Sequence, residues 1–285
     1  INFFLAHFNL KDWTFDIMIK KNILVTGGTD GIGLAIVNKL IEQKHNIFIV
    51  GRNATKGNNL LNSLKYPNLE FFQCDLSQKN EIESLIKKIN NLKSLDSLIN
   101  NAGAIFLKRS TNSYGVEKTF ALNHLSYFHL SLGLLRVLEE SKDGRIINVA
   151  SNAHKRFQLD LNDLENKINY SGWEAYCKSK LLNILITYSF NKELKTKVKC
   201  NCLHPGFVNS NFGNNNSTFY RIFTDMLKNL LAINTEKASI TPTYLATEND
   251  AININGKYFY KLKKRVSSKE SYNNNLGKEV WHKSL

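Results

Sequence analysis

Residues 22–33 read NILVTGGTDGIG. Ile23, Leu24 and Val25 form a short apolar run with the character of a buried strand. Glycines follow at 27, 31 and 33, and then Leu34, Ala35, Ile36, Val37, Leu40 and Ile41 recur at helical spacing. A strand, a glycine turn and a helix in that order suit the pyrophosphate of a dinucleotide. Glycine lets the backbone turn tightly and lets phosphate approach it, while the helix start offers free N–H groups and a partial positive charge. The spacing is Gly27-x-x-x-Gly31-x-Gly33 rather than the common G-x-G-x-x-G. Thr29, Asp30 and Ile32 complete the candidate cofactor turn. A plain structural turn is the alternative, and the position between strand and helix favours the cofactor.

Outward from this stretch the chain alternates. Apolar runs at 46–50, 69–73, 95–99, 145–149, 198–203 and 257–260 predict further strands. Helical spacing predicts helices over 55–64, 81–92, 115–138, 173–194 and 236–246. Short strands alternating with helices imply a parallel sheet covered on both faces. The expected fold is therefore α/β, a single-domain Rossmann-type doubly wound sheet of about seven strands with helices on both faces. Ligands of such sheets bind at the carboxyl ends of the strands. Several strands end in polar or glycine residues: Arg52 after the second, Asp75-Leu76 after the third, Asn101-Ala102-Gly103 after the fourth, Ser151 after the fifth and Pro205-Gly206 after the sixth.

The 285-residue chain has 42% hydrophobic and 22% charged residues and only three prolines, which suits one globular domain without a linker. Residues 1–17 read as an N-terminal extension outside the fold, with Met18 as the expected start, and 18–285 as the domain. A net charge of +14 raises nucleic acid or an anionic membrane as partners. The lysines are scattered rather than clustered, and no nucleic-acid motif is present, so no nucleic-acid partner is expected. Four cysteines lack the paired spacing of a zinc site, and no metal is expected. No apolar run approaches the ~20 residues of a membrane-spanning helix. The expected location is cytoplasmic, with peripheral contact on an internal membrane left open.

Tyr176 and Lys180 lie four apart on a predicted helix and share one face. A nearby ammonium favours the phenolate, so the pair suggests a proton donor and acceptor working near neutral pH. An exposed helical pair is the plain alternative. Ser151, at a strand end, can hydrogen-bond a substrate oxygen or merely cap a turn. Asn123 is an indifferent interior helix residue. It serves either as satisfied polar packing or in a proton path.

Together these residues resemble the short-chain dehydrogenase/reductase family. The resemblance rests on Thr26-Gly27-x-x-x-Gly31-Ile32-Gly33, Asp75-Leu76, Asn100-Asn101-Ala102-Gly103, Asn123, Ser151, Tyr176-x-x-x-Lys180 and Pro205-Gly206, in the family's order. Asn123-His124-Leu125, Val149–His154 and His204-Pro205-Gly206-Phe207-Val208 are similar to the retinol dehydrogenase-like branch. So is the wide spacing of Ser151 and Tyr176, with an insertion carrying residues 159–169. The resemblance implies that Tyr176 is the general acid in reduction and that Ser151 holds the substrate oxygen. It implies that Lys180 lowers the tyrosine pKa and binds the nicotinamide ribose, and that Asn123 helps hold a water chain. Asp75 and Leu76 would contact adenine, and Asn101, Ala102, Gly103, Pro205, Gly206 and Val208 would line the cofactor channel.

Cofactor choice is local. An acidic residue after the second strand would accept the ribose hydroxyls of NAD. Gly51 and Arg52 stand there instead, and a guanidinium suits the 2′-phosphate of NADP(H). NADP(H) is therefore expected over NAD, although Asp30 stands where many NADP-preferring relatives carry a second basic residue. Residues 207–233 are rich in Phe, Tyr and Leu. They read as a lid, 211–233, over a small apolar carbonyl or alcohol such as a retinoid, lipid aldehyde or steroid. A self-packed lid and a membrane contact are the alternatives. A homodimer is left open. The expected function is an NADP(H)-dependent oxidoreductase; a non-catalytic NADP(H)-sensing regulator is the alternative, against which the joint presence of Ser151, Tyr176 and Lys180 counts.

Overall fold

A computed structural model describes residues 20–206 and 235–285. The expectations for residues 1–17, Met18, Val208 and the lid over 211–233 lie outside the described residues. The elements run β1 (Asn22–Thr26), α1 (Gly31–Glu42), β2 (Asn46–Gly51), α2 (Ala54–Leu64), β3 (Leu69–Gln73), α3 (Lys79–Ile89) and β4 (Ser97–Asn100). Then come α4 (Lys118–Phe120), α5 (Ser126–Gly133), α6 (Leu135–Glu139), β5 (Arg145–Val149), α7 (Gly172–Leu194) and β6 (Lys199–Leu203). A helix α8 covers 235–247. The chain closes with β7 (Tyr258–Tyr260), β8 (Lys263–Arg265) and α9 (Asn274–Ser284).

The strands order as β3-β2-β1-β4-β5-β6-β7-β8. All neighbours are parallel except β7 and β8. The order reverses direction beside β1, which leaves a crevice at the carboxyl ends of β1 and β4. Side chains alternate across the sheet as the two-residue period of a strand requires. Ile23 and Val25 of β1 pack with Ile36, Val37 and Leu40 of α1 and with Leu245 and Ala246 of α8. Leu24 faces the other way, into a core with Ile82 and Leu85 of α3, Phe128 of α5, Leu181 and Leu185 of α7 and Trp281 of α9. Each such buried side chain contributes about 1.5–3 kcal/mol.

Two elements differ from expectation. The single helix expected over 115–138 is three helices, with a π-helical turn, Ala121–Leu125, between α4 and α5. The buried Glu117 carboxylate accepts from the Thr119 and Phe120 amides, each at 2.8 Å, and fixes the start at Lys118. Leu134 leaves helical geometry at φ −99°, ψ 4° and separates α5 from α6. The last strand, β7, is also not the end of the sheet. Lys261 and Leu262 both take left-handed backbone (φ 48° and 61°), which gives the tight turn of a two-residue hairpin. The chain folds back as β8, with Tyr260 paired to Lys263, so the sheet has eight strands rather than about seven.

Candidate active site

The turn after β1 has the backbone that the glycines predict. Gly27 sits at φ +67°, a conformation side chains rarely adopt. A Cβ on Gly33 would lie 2.0 Å from the Gly27 carbonyl oxygen, so α1 starts directly against the turn. Asp30 caps α1 by accepting from the Gly31 amide at 2.7 Å, and its other oxygen meets the Lys56 ammonium. The buried Thr26 hydroxyl accepts from the amides of Asn101 (2.8 Å) and Ala102 (3.0 Å). The Asn101 side chain donates to the Thr26 carbonyl at 2.9 Å. These bonds latch the ends of β1 and β4 together and set the glycine turn beside Asn101–Gly103. The turn, the helix start and the flanking loop fit a dinucleotide: the glycines bring backbone into close approach at the start of α1, where a pyrophosphate would lie.

Around this crevice stand the other expected cofactor residues. Arg52 is exposed at the end of β2. The Asp75 carboxylate accepts from the Ser77 amide (2.9 Å) and hydroxyl (2.7 Å) after β3. Leu76 is buried in the core, so only its backbone remains for a ligand. Pro205 and Gly206 follow β6, with Gly206 at φ +97°.

Ser151 ends β5, and its Oγ accepts from the Ala153 amide at 3.2 Å. Tyr176 and Lys180 project from one face of α7 toward it. The Ser151 hydroxyl hydrogen-bonds the Tyr176 phenol. Lys180 Nζ donates to the Val149 carbonyl at 3.0 Å and lies 5.6 Å from the centre of the Tyr176 ring. It also lies 5.4 Å from the ring of the buried Tyr127. Asn123 sits in the π-helical turn with every side-chain atom engaged. Its Oδ1 accepts from the Ala104 amide, and its Nδ2 donates to the Ala104 carbonyl, both at 2.9 Å, and to Ser179 Oγ at 3.1 Å. Its carbonyl accepts from Asn183 Nδ2 at 2.8 Å. Asn123 thus clamps the loop after β4 rather than leaving a side-chain group for solvent. A Cβ on Gly103 would stand 3.2 Å from Asn123 Oδ1 and 3.5 Å from Lys180 Nζ, so the three meet at that glycine.

Burial governs the charges. Among the protein's own groups it pushes the Tyr176 phenol up to about 12, against the opposing Ser151 hydrogen bond. It lowers Lys180 to about 7. Burial therefore works against the expected lowering of the tyrosine pKa by Lys180, since it raises the phenol and lowers the ammonium. Burial thus favours the protonated phenol of Tyr176 and the neutral amine of Lys180.

Three supporting residues are assigned no role by the sequence, although Thr26 and His154 lie within its motifs. Ser179 links Asn123 to α7, donating to the Tyr176 carbonyl at 2.7 Å. The buried His154 faces the Ser151 carbonyl through Nδ1 at 2.6 Å and accepts from the Ser268 amide through Nε2 at 2.9 Å. These partners fix a neutral ring with its proton on Nδ1, and burial lowers its pKa to about 4. Thr26 opens the glycine motif, but the sequence does not show its bonds to the Asn101 and Ala102 amides. All three act through partners at least two dozen positions away or through backbone atoms, which local spacing does not reveal.

The model of the short chain dehydrogenase family matches residues 21–220. The chain belongs to that family of oxidoreductases, which use a nicotinamide cofactor to interconvert CH–OH groups and carbonyls. Human polyprenol dehydrogenase is 32% identical over 273 residues, covering 92% of this chain and 83% of the relative. Human retinol dehydrogenase 13 is 31% identical over 275 residues, covering 93% and 83%. These relatives place the chain in the retinol dehydrogenase-like branch. Among solved structures, an uncharacterised protein from Mycobacterium paratuberculosis superposes with a TM-score of 0.76 at 21% identity, covering 93% of this chain and 91% of that one. The Pseudomonas aeruginosa RhlG/NADP active-site complex gives 0.63 at 23% identity, covering 88% and 96%. Both likenesses concern the fold. Among the described residues no helix is long and apolar enough to cross a membrane.

Proposed function

We propose that this chain is an NADP(H)-dependent oxidoreductase interconverting an apolar aldehyde or ketone and its alcohol, with long-chain isoprenoid, retinoid, lipid and steroid carbonyls as the candidate substrates. The observation that carries the reading is the meeting of Ser151, Tyr176 and Lys180 at the carboxyl end of β5, beside the loop that Asn123 clamps. When bound, the cofactor supplies or accepts a hydride at the carbonyl carbon. Tyr176 gives its phenolic proton to the carbonyl oxygen. Ser151 holds that oxygen by a hydrogen bond that strengthens as negative charge develops there. Lys180 would stabilise the charge left on the phenolate and would hold the nicotinamide ribose. Asn123 keeps Asn101–Gly103 in place along the cofactor. Arg52, exposed after β2, would hold a 2′-phosphate. The named activities of the polyprenol and retinol relatives favour an apolar substrate.

The test is cofactor-linked reduction of a panel of apolar aldehydes and ketones by wild type and Tyr176→Phe. Loss of about 10²–10⁴-fold in turnover, the usual worth of a general acid, is expected with cofactor binding retained. Undiminished turnover in Tyr176→Phe would remove that residue from the reaction.

A further inference from the structure

The glycine turn holds a charge that opposes the proposed cofactor. Asp30 lies inside the turn that cradles a dinucleotide, and its side chain is 77% exposed. A free carboxylate at this position repels a phosphate ester on the adenosine ribose. The structure does not leave it free. Lys56, in the opening turn of α2, reaches across to Asp30 Oδ2. The contact bridges the turn after β1 and the turn after β2, between which the ribose of the proposed cofactor would lie. Its anchors on both sides are fixed. Asp30 is held by its bond to the Gly31 amide. Lys56 is placed by Asn53, whose side chain caps α2 by accepting from the Lys56 amide at 2.9 Å. A Cβ on Gly51 would lie 3.0 Å from Thr29, so the two turns are in close approach. Burial of the pair is slight, so it adds little to stability. Its consequence is for the local potential, where it removes one negative charge next to the ribose.

We infer that Lys56 is a cofactor-specificity residue, which neutralises Asp30 and so lets Arg52 accept a 2′-phosphate. The inference rests on the NADP(H) reading above. It differs from a second direct phosphate ligand. If Lys56 acts by neutralising Asp30, its removal is harmful only while Asp30 keeps its charge.

Equilibrium titration with NADP⁺ and with NAD⁺, followed by calorimetry, separates the cases without any turnover. Wild type is measured before any variant: tighter binding of NAD⁺ than of NADP⁺ overturns both the cofactor reading and this inference. Arg52→Gln tests the cofactor reading alone, which predicts weaker NADP⁺ binding and unchanged NAD⁺ binding. Lys56→Gln is expected to weaken NADP⁺ about tenfold, the size of one uncompensated like charge at a partly screened distance, and to leave NAD⁺ within about twofold. Asp30→Asn keeps the helix cap, since asparagine caps as well as aspartate. The double variant Asp30→Asn/Lys56→Gln is then expected to recover wild-type NADP⁺ affinity. An unchanged NADP⁺/NAD⁺ ratio in Lys56→Gln, or a double variant as weak as Lys56→Gln, overturns the inference, while Arg52→Gln still reports on the cofactor reading.

Discussion

Lys180→Met is expected to make the protein more stable while removing most of its activity. Lys180 is 4% exposed and has the Val149 carbonyl as its hydrogen-bond partner. Burial takes it from 10.5 to about 7. At 1.36 kcal/mol per pH unit, holding that ammonium in the folded state at pH 6 costs about 4–5 kcal/mol. Methionine fills similar space without charge, but leaves the Val149 carbonyl unpaired, at about 1–2 kcal/mol. The net gain at pH 6 is about 3 kcal/mol, or about 5–10 °C in Tm for a chain of this size. The sign changes with pH in a defined way. Between about 7 and 10.5 the unfolded chain binds a proton that the folded chain does not, so wild-type stability rises with pH across that window. By pH 10 the cost of burying Lys180 has fallen below about 1 kcal/mol, and the advantage of the variant is gone. The assay is thermal unfolding of both proteins at pH 6 and pH 10. A variant no more stable than wild type at pH 6, or a difference that stays constant to pH 10, would refute a lysine desolvated in this site.

Acid should unfold the protein early. His45, His124 and His154 are buried, and burial lowers them to about 4, 3 and 4 from 6.5. The stability from their neutral forms is complete above pH 6.5 and is lost as pH falls through 4, for a total on the order of 10 kcal/mol, comparable to the whole stability of a domain. Circular dichroism during acid titration checks this, and a native spectrum with unshifted Tm at pH 4 would contradict it. Arg145→Met should cost about 3–5 kcal/mol, because the buried guanidinium pairs with Asp143 and donates to the carbonyls of Leu245 (3.0 Å) and Glu248 (2.8 Å). Arg145 begins β5, at the end of the sheet away from the crevice, so the denaturant midpoint should fall while KM for cofactor holds.

The strand–turn–helix opening was legible because each part signals locally: apolar run, glycines, helical period. The parallel, doubly wound character of the sheet followed from alternation and handedness. The hairpin to β8 was not legible. Its turn places Lys261 and Leu262 in left-handed backbone, where sequence offers neither glycine nor asparagine as a marker. The break in the helix expected over 115–138 was hidden for a related reason. The π-helical turn accompanies Asn123 side-chain bonds to Ala104 and Ser179, and these partners are distant in the chain or off the helix.

The charge state of the catalytic pair shows a deeper limit of spacing. Four residues on a helix correctly put Tyr176 and Lys180 on one face, and from that separation an ammonium should acidify the phenol. What decides the matter is how much water the surrounding fold removes. Tyr127, the Val149 carbonyl and the Gly103 backbone close around Lys180, from α5, β5 and the loop after β4. Desolvation then acts on both partners at once, raising one and lowering the other. A lysine near 7 carries only part of its charge at rest, and gains it when a negative charge forms beside it. In the proposed reaction, proton transfer from Tyr176 would form that charge. In that reaction the attraction that spacing alone assigns to the resting pair would belong to the state after the proton has moved, where it would favour the reaction rather than the ground state.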